Sequence, residues 1–114
     1  DIRVVNDQIL TPTYTVDVAL QIKKLLRTKS YGLYHATSHG HCSWHEFTAE
    51  IFRQEGLSPN LTPVPTLTAG AKVLRPRYSA LDNAALRKRG IDCMRPWQEA
   101  LAAYLQERRL AGKA

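Results

Sequence analysis

Apolar residues recur along this chain in two rhythms, and each change of rhythm marks an element. Ile2, Val4 and Val5 form a short β-branched run that predicts a strand. A polar cluster of Asp7, Gln8, Thr11, Pro12 and Thr13 then predicts a turn. From there Val16, Ala19, Ile22 and Leu26 recur at helical spacing, with Lys23, Lys24 and Arg27 on or near the other face, predicting a helix over about Val16–Thr28 whose apolar stripe faces a core. Thr15 is placed to cap it, and Asp17 sits against the positive end of its dipole. Gly32–Thr37 alternates enough to predict a second short strand, and Ser38–His41 a turn.

The second half continues the pattern with stronger punctuation. Ser43 followed by Glu46 fits a capping box, Trp44, Phe47, Ile51 and Phe52 make the stripe of the helix it opens, and Gly56 is placed to end that helix. Residues 57–76 carry Pro59, Pro63, Pro65 and Pro76, which predicts an extended, mobile excursion with at most a short edge strand near Leu61–Pro65. Asp82 is expected to cap a short helix through Ala84–Lys88 that Gly90 ends. The last helix opens at Pro96 and runs to about Leu110, burying Trp97, Ala100, Leu101, Tyr104 and Leu105. The expected class is α/β, with about four helices and two or three short strands.

Composition narrows the partners only slightly. With 44% hydrophobic and 23% charged residues the 114-residue chain is an ordinary globular domain, and no apolar run approaches the ~18 residues of a membrane span. Residues 1–74 hold seven Lys and Arg against six Asp and Glu, while 75–114 hold nine against four, so nearly all of the net +6 lies in the last 40 residues. That surface suits an anionic ligand, a nucleic acid, or no ligand at all. Cys42 and Cys93 are too few for a disulfide framework, which favours a reducing, cytoplasmic setting. The chain opens on Asp1 within a strand-like run, so it is expected to be a piece of a longer protein.

Several side chains are candidates for chemistry. Gln8 and Thr13 could donate to a sugar hydroxyl or phosphate oxygen from a turn stiffened by Pro12, or bond their own loop. Arg75 and Arg77 flank a proline that fixes their spacing, and two planar guanidinium groups suit a diphosphate; otherwise they form a solvated edge or pair with Asp82. Tyr78 could stack on a base or sugar, or half-bury beside Leu81. His35, His39, His41, Cys42 and His45 are rich in zinc-type donors, but their crowding does not fit one site, and Cys93 stands alone. Trp44 and Trp97 read as core. The cations Arg87, Lys88 and Arg89 complement a helix end, with no aromatic residues interleaved as a nucleic-acid surface would want.

Four stretches, in this order, resemble the dTDP-4-dehydrorhamnose reductase family of extended short-chain dehydrogenases: DQxxxPT at Asp7–Thr13, YHAT with GHCSWHEF across Tyr34–Phe47, RPRYSALDN at Arg75–Asn83 and MRPWQEAL at Met94–Leu101. They cover nearly the whole chain, and the resemblance is to the C-terminal, substrate-binding part of a Rossmann-like enzyme. It implies that residues 1–114 help to hold a nucleotide sugar through Gln8, Thr13, Arg75, Arg77 and Tyr78. It further implies that the complete enzyme reduces dTDP-4-dehydro-L-rhamnose to dTDP-L-rhamnose with NADPH, and that an N-terminal part, absent here, holds the cofactor. Leu10 departs from the pattern, which commonly has Gly there.

The residues agree with that division of labour. A dinucleotide fold needs closely spaced glycines after its first strand, whereas Gly32, Gly40, Gly56, Gly70, Gly90 and Gly112 are never closer than eight positions. The family's proton donor is a Tyr with a Lys four residues on, and no tyrosine here is so followed. The chain alone is therefore expected to neither bind NADPH nor transfer a hydride. In the related fold the Gly32–Thr37 strand rejoins the cofactor half's parallel sheet, so the isolated chain should be unstable or pair with another copy along that edge. The remaining alternatives are a small basic module for nucleic acid or metal, and a non-catalytic regulatory relative of the reductase.

Overall fold

A computed structural model describes residues 1–66 and 73–112, which fall into two units. The first comprises Asp1–Leu10 and His41–Ala80, the second Thr11–Gly40 and Leu81–Ala114.

In the first unit β1 (Ile2–Val5) lies parallel to β4 (Leu61–Val64), with Ile2 opposite Leu61 and Val5 opposite Val64. The ladder is continued by Ile2 N–H to the Asn60 carbonyl at 2.8 Å and Asn6 N–H to that of Val64 at 3.0 Å. Pro63 is tolerated because, among the described residues, this strand has a neighbour on one side only, so its missing amide breaks no second ladder. A second pair, absent from the sequence-based expectation, joins β2 (Ile9–Leu10) antiparallel to β3 (Cys42–Ser43). Leu10 thus occupies ordinary strand backbone. Every positive φ among the described residues belongs to glycine, so the backbone carries no left-handed strain at Leu10.

Helix α2 (Trp44–Gln54) packs on β1, β3 and β4 and begins as the sequence predicts. Ser43 Oγ accepts from the Glu46 amide at 3.0 Å, and Glu46 Oε1 accepts from the Ser43 amide at 2.8 Å. It ends at Gly56, whose φ of 72° lets the Leu57 amide fold back to the Phe52 carbonyl at 2.8 Å. Its stripe is shallower than expected: Phe47, Ile51 and Phe52 are half-buried, and Trp44 is exposed rather than core, its ring edge-on to Phe47. Residues 67–72, on which part of the expected mobile excursion falls, lie outside the described residues.

The second unit contains α1 (Thr15–Leu26), α3 (Ala84–Lys88) and α4 (Trp97–Ala111). Its apolar core is Leu86, Met94, Trp97, Ala100, Leu101 and Leu105. Trp97 and the α4 stripe are as expected except for Tyr104, half exposed, whose ring lies edge-on to that of Tyr14. Gly40 has a φ of 86° and lies so close to Trp97 that a Cβ there would meet the indole Cδ1 at 3.3 Å. That approach is held by the His39 amide to the Arg95 carbonyl at 2.9 Å and the Trp97 amide to the His39 carbonyl at 3.0 Å.

Three expectations for this unit are corrected. Helix α1 presents its polar side inward: Asp17 and Gln21 are buried, while Val16, Leu20, Ile22 and Leu26 are exposed. The period was right and the side was not, because Asp17 and Gln21 find partners far along the chain. Gln21 Nε2 donates to the Ile91 carbonyl at 2.9 Å, and its Oε1 accepts from the Cys93 amide at 2.8 Å. Asp17 takes a two-pronged contact from Arg95 at 2.9 and 3.0 Å. Second, neither predicted cap forms: Tyr14, not Thr15, precedes α1, and Asp82 engages Arg87 instead of the α3 amides, leaving Asn83 at the cap position without a side-chain bond to the helix. Third, Gly32–Thr37 is not a strand. Among the described residues it has no neighbouring chain to ladder with, and the Asn83 side chain takes its end, accepting from the Thr37 amide at 3.0 Å and donating to the Thr37 carbonyl at 2.7 Å.

Candidate functional site

The first unit gathers four of the five candidate residues along one run of backbone. Asp7 and Gln8 leave β1 and are tied to Thr66: the Asp7 carboxylate accepts from the Thr66 amide and hydroxyl, and Gln8 Nε2 donates to Thr66 Oγ1 at 3.2 Å. The hydroxyl and amide bonds from Thr66, helped by the charge of Arg77, hold the Asp7 carboxyl below its ordinary range. Gln8 is buried, so it braces the loop with its amide nitrogen.

One residue further, Ile9 brackets the other candidates. Its amide donates to the Arg77 carbonyl at 2.7 Å, and its carbonyl accepts from the Ser79 amide at 2.8 Å, which bridges Ile9 to Tyr78. Arg75, Arg77 and Tyr78 are all exposed. Among the described residues neither arginine pairs with a carboxylate, and the alternative partner, Asp82, is taken by Arg87. The Tyr78 ring lies 6.1 Å from that of His41, tilted by 58°, so the segment offers two exposed guanidinium groups outside any salt bridge among the described residues, Arg77 within the field of Asp7, beside an aromatic pair. Such a set can grip an anion through charge-assisted forks and cover a planar or sugar ring.

Thr13 belongs to the second unit. Its hydroxyl donates to the Thr11 carbonyl at 2.9 Å and accepts from the Ser38 amide at 3.3 Å, so the proton is committed to its own loop and an oxygen lone pair remains. In the same unit Thr37–Gly40, Leu81–Asn83 and Arg87 line a cleft of about 160 Å³. Asp82 is already engaged by Arg87, His39 Nε2 lies 2.8 Å from Asp92 Oδ2, and Ser38 Oγ is buried without a partner among the described residues. That is the character of a water site.

The zinc-type donors disperse rather than converge. His39 pairs with Asp92, His41 faces Tyr78, and Cys42 is buried in β3, where desolvation, helped by Glu46, pushes its thiol to about 12. Two participants were missed from sequence. Thr66 lies in the proline-rich excursion with nothing local to mark it, and His41 was weighed only as a metal ligand.

The model of the RmlD substrate binding domain matches residues 1–110. The chain belongs to that family. The spore coat polysaccharide biosynthesis protein SpsK of Bacillus subtilis is 44% identical over 108 residues, which is 95% of this chain and 38% of that protein. A dTDP-4-keto-6-deoxy-D-glucose reductase of Streptomyces niveus is 40% identical over 101 residues, covering 88% of this chain and 35% of the relative. The crystal structure of dTDP-4-dehydrorhamnose reductase from Bacillus anthracis in complex with NADP superposes with a TM-score of 0.88 at 42% identity, over 93% of this chain and 38% of that one. The chain thus spans well under half the length of these relatives, and corresponds to their substrate-binding part. Among the described residues no helix is long and apolar enough to cross a membrane.

Proposed function

We propose that this chain is the nucleotide-sugar-holding part of an NADPH-dependent dTDP-4-dehydrorhamnose reductase. In the complete enzyme, a separate N-terminal body binds the cofactor and supplies the Tyr and Lys that protonate the reduced sugar. The observation that carries the reading is the exposed pair Arg75 and Arg77, in no salt bridge among the described residues and set beside the Tyr78–His41 ring pair. The arginines take the diphosphate and Tyr78 covers the attached ring. Gln8 fixes the loop from which Ile9 holds that segment. The names of the relatives support the substrate class, the NADP complex of the Bacillus anthracis enzyme supports the cofactor, and the two free cysteines favour a reducing, cytoplasmic setting.

The test is a chimera in which residues 1–110 replace the matched part of the Bacillus anthracis reductase. It should oxidise NADPH with dTDP-4-dehydrorhamnose, while the 114-residue chain alone should not. Arg75→Ala and Arg77→Ala should each weaken dTDP binding by ~1.5–3 kcal/mol, as expected for a charge-assisted hydrogen bond. Unchanged affinity in both variants would return the arginines to a solvated edge. Salt-steep binding of single-stranded DNA, without preference for dTDP, would replace the reading with a basic binding module.

A further inference from the structure

We infer that His41 is a specificity-determining residue, whose imidazole N–H donates to an oxygen on the edge of the ligand ring that Tyr78 covers; this rests on the reductase reading above and deepens it. Backbone pairing brings the two side chains together. Ile9 donates its amide to the Arg77 carbonyl at 2.7 Å and accepts from the Ser79 amide at 2.8 Å, and on its other side it lies opposite Ser43. β2 is therefore the middle of three segments, with Tyr78 to one side and β3 to the other. Residues directly opposite share a face and neighbours along a strand alternate, so His41 falls on the face of Ser43, Ile9 and Tyr78, while Cys42 takes the reverse.

The two rings are fixed from below and open above. Tyr78 is 63% exposed and His41 is exposed as well, although the segments that carry them are laddered to β2. Centroids 6.1 Å apart and planes tilted by 58° make a touching pair shaped as an open corner. No third ring passes between them, so a ligand ring lies on the free face of Tyr78 with the imidazole at its edge. Arg77 precedes Tyr78 directly, so a diphosphate gripped there delivers its attached ring to that corner. Among the described residues His41 makes no hydrogen bond or ion pair, and a neutral imidazole so placed keeps one donor and one acceptor. A donor at the ring's edge distinguishes its substituents, which a diphosphate clamp does not.

The competing use of His41 is as a metal ligand together with its neighbour Cys42. Cys42 is 2% exposed, burial and then Glu46 push its thiol up to about 12, and alternation turns it away from the imidazole. Among the described residues no three metal-type donors converge. His41 thus keeps the company of Tyr78 and Arg77, and its chemistry is that of a ligand contact.

Calorimetric titration of the chimera with dTDP and with dTDP-L-rhamnose decides the matter. His41→Phe keeps a ring against Tyr78 and removes the N–H, so affinity should fall about 3- to 10-fold, the loss of one hydrogen bond, with the ligand-free melting temperature unchanged. His41→Gln restores an N–H and should bind within about twofold of wild type. A loss confined to dTDP-L-rhamnose places the contact on the deoxyhexose, and an equal loss with both ligands places it on the nucleoside; either supports the assignment. His41→Phe binding as wild type does overturns it, and so does His41→Gln binding no better than His41→Phe. A melting temperature lowered in both variants also overturns it, by making the ring pair a structural contact. Such a failure leaves the reductase reading in place if Arg75→Ala and Arg77→Ala still weaken dTDP binding. If instead both arginine variants bind dTDP normally while His41→Phe does not, the diphosphate clamp falls and the His41 contact stands. A wild-type chimera that binds neither ligand overturns both.

Discussion

Gln21→Met tests whether α1 is held by its polar side. Methionine keeps nearly the volume of glutamine and suits a helix, so the substitution removes hydrogen bonds without opening a cavity. Two backbone groups lose their partner: the Ile91 carbonyl, bonded at 2.9 Å, and the Cys93 amide, bonded at 2.8 Å. At ~0.5–1.5 kcal/mol net for each bond the loss is ~1–3 kcal/mol. Cys93 is exposed, so water can replace Gln21 at its amide, which keeps the cost from rising to that of two orphaned buried groups. The thiol contact at 3.2 Å adds little, sulfur being a weak donor. For a domain of this size the loss lowers the melting temperature by roughly 4–12 °C. Urea unfolding in a Trp44→Phe background, where Trp97 is the remaining indole, reports on this unit directly. The companion variant is Leu20→Gln, on the exposed face, expected to cost less than ~0.5 kcal/mol. If Leu20→Gln proves the more damaging of the two, α1 packs by its apolar stripe and the described orientation is refuted.

Three further outcomes follow from the same kind of accounting. Asn83→Ala strips Thr37 of three contacts, from its amide, carbonyl and hydroxyl, and should cost ~2–4 kcal/mol, while Asn83→Asp, which keeps the acceptor, should cost less; equal urea midpoints for wild type and Asn83→Ala would refute this. Ser43→Ala should cost ~1 kcal/mol and speed amide exchange in the first turn of α2 ahead of the rest of the helix, and uniform exchange along α2 would show that the capping box does not govern its start. Asp7, whose folded pKa lies below the 3.8 of the free carboxyl, contributes stability that is complete above that value and is lost as pH falls through the folded pKa. The stability difference between wild type and Asp7→Asn should therefore shrink below about pH 4, and a difference that stays constant with acidification would remove the Thr66 contacts as its cause.

What the sequence made legible is what it determines locally. The capping box at Ser43 and Glu46, the glycine stop at Gly56 and the α4 stripe of Trp97, Ala100, Leu101 and Leu105 each depend on residues close in sequence, and were found where read, Tyr104 excepted. Arg75, Arg77 and Tyr78 were legible as candidates for a similar reason, since a proline between two arginines is a local signal. The misreadings share one cause. Gln21 went unread and Asp17 was read only against the helix dipole, because their partners, Arg95, Ile91 and Cys93, lie at least 70 positions away. Thr66 was invisible as the brace of Asp7 and Gln8 for the same reason, at separations of 59 and 58. Gly32–Thr37 has the composition of a strand, but a strand is a relation between two segments, and among the described residues the second is not there.

The polar ties of the second unit explain how it can leave its most regular apolar stripe uncovered. Apolar burial is non-directional, so a helix held by its stripe is hidden by it. Here α1 is fixed instead by directional contacts from its other side, the fork from Arg95 to Asp17 and the two backbone bonds of Gln21. Asn83 does the same for the end of the Gly32–Thr37 run, engaging both polar groups of the Thr37 backbone as a neighbouring strand would. Buried polar groups fully satisfied in this way specify one arrangement, and any of them left half-satisfied would be costly, so they set position strictly without using apolar area. The helix and the end of the run are therefore held in place by their polar contacts alone.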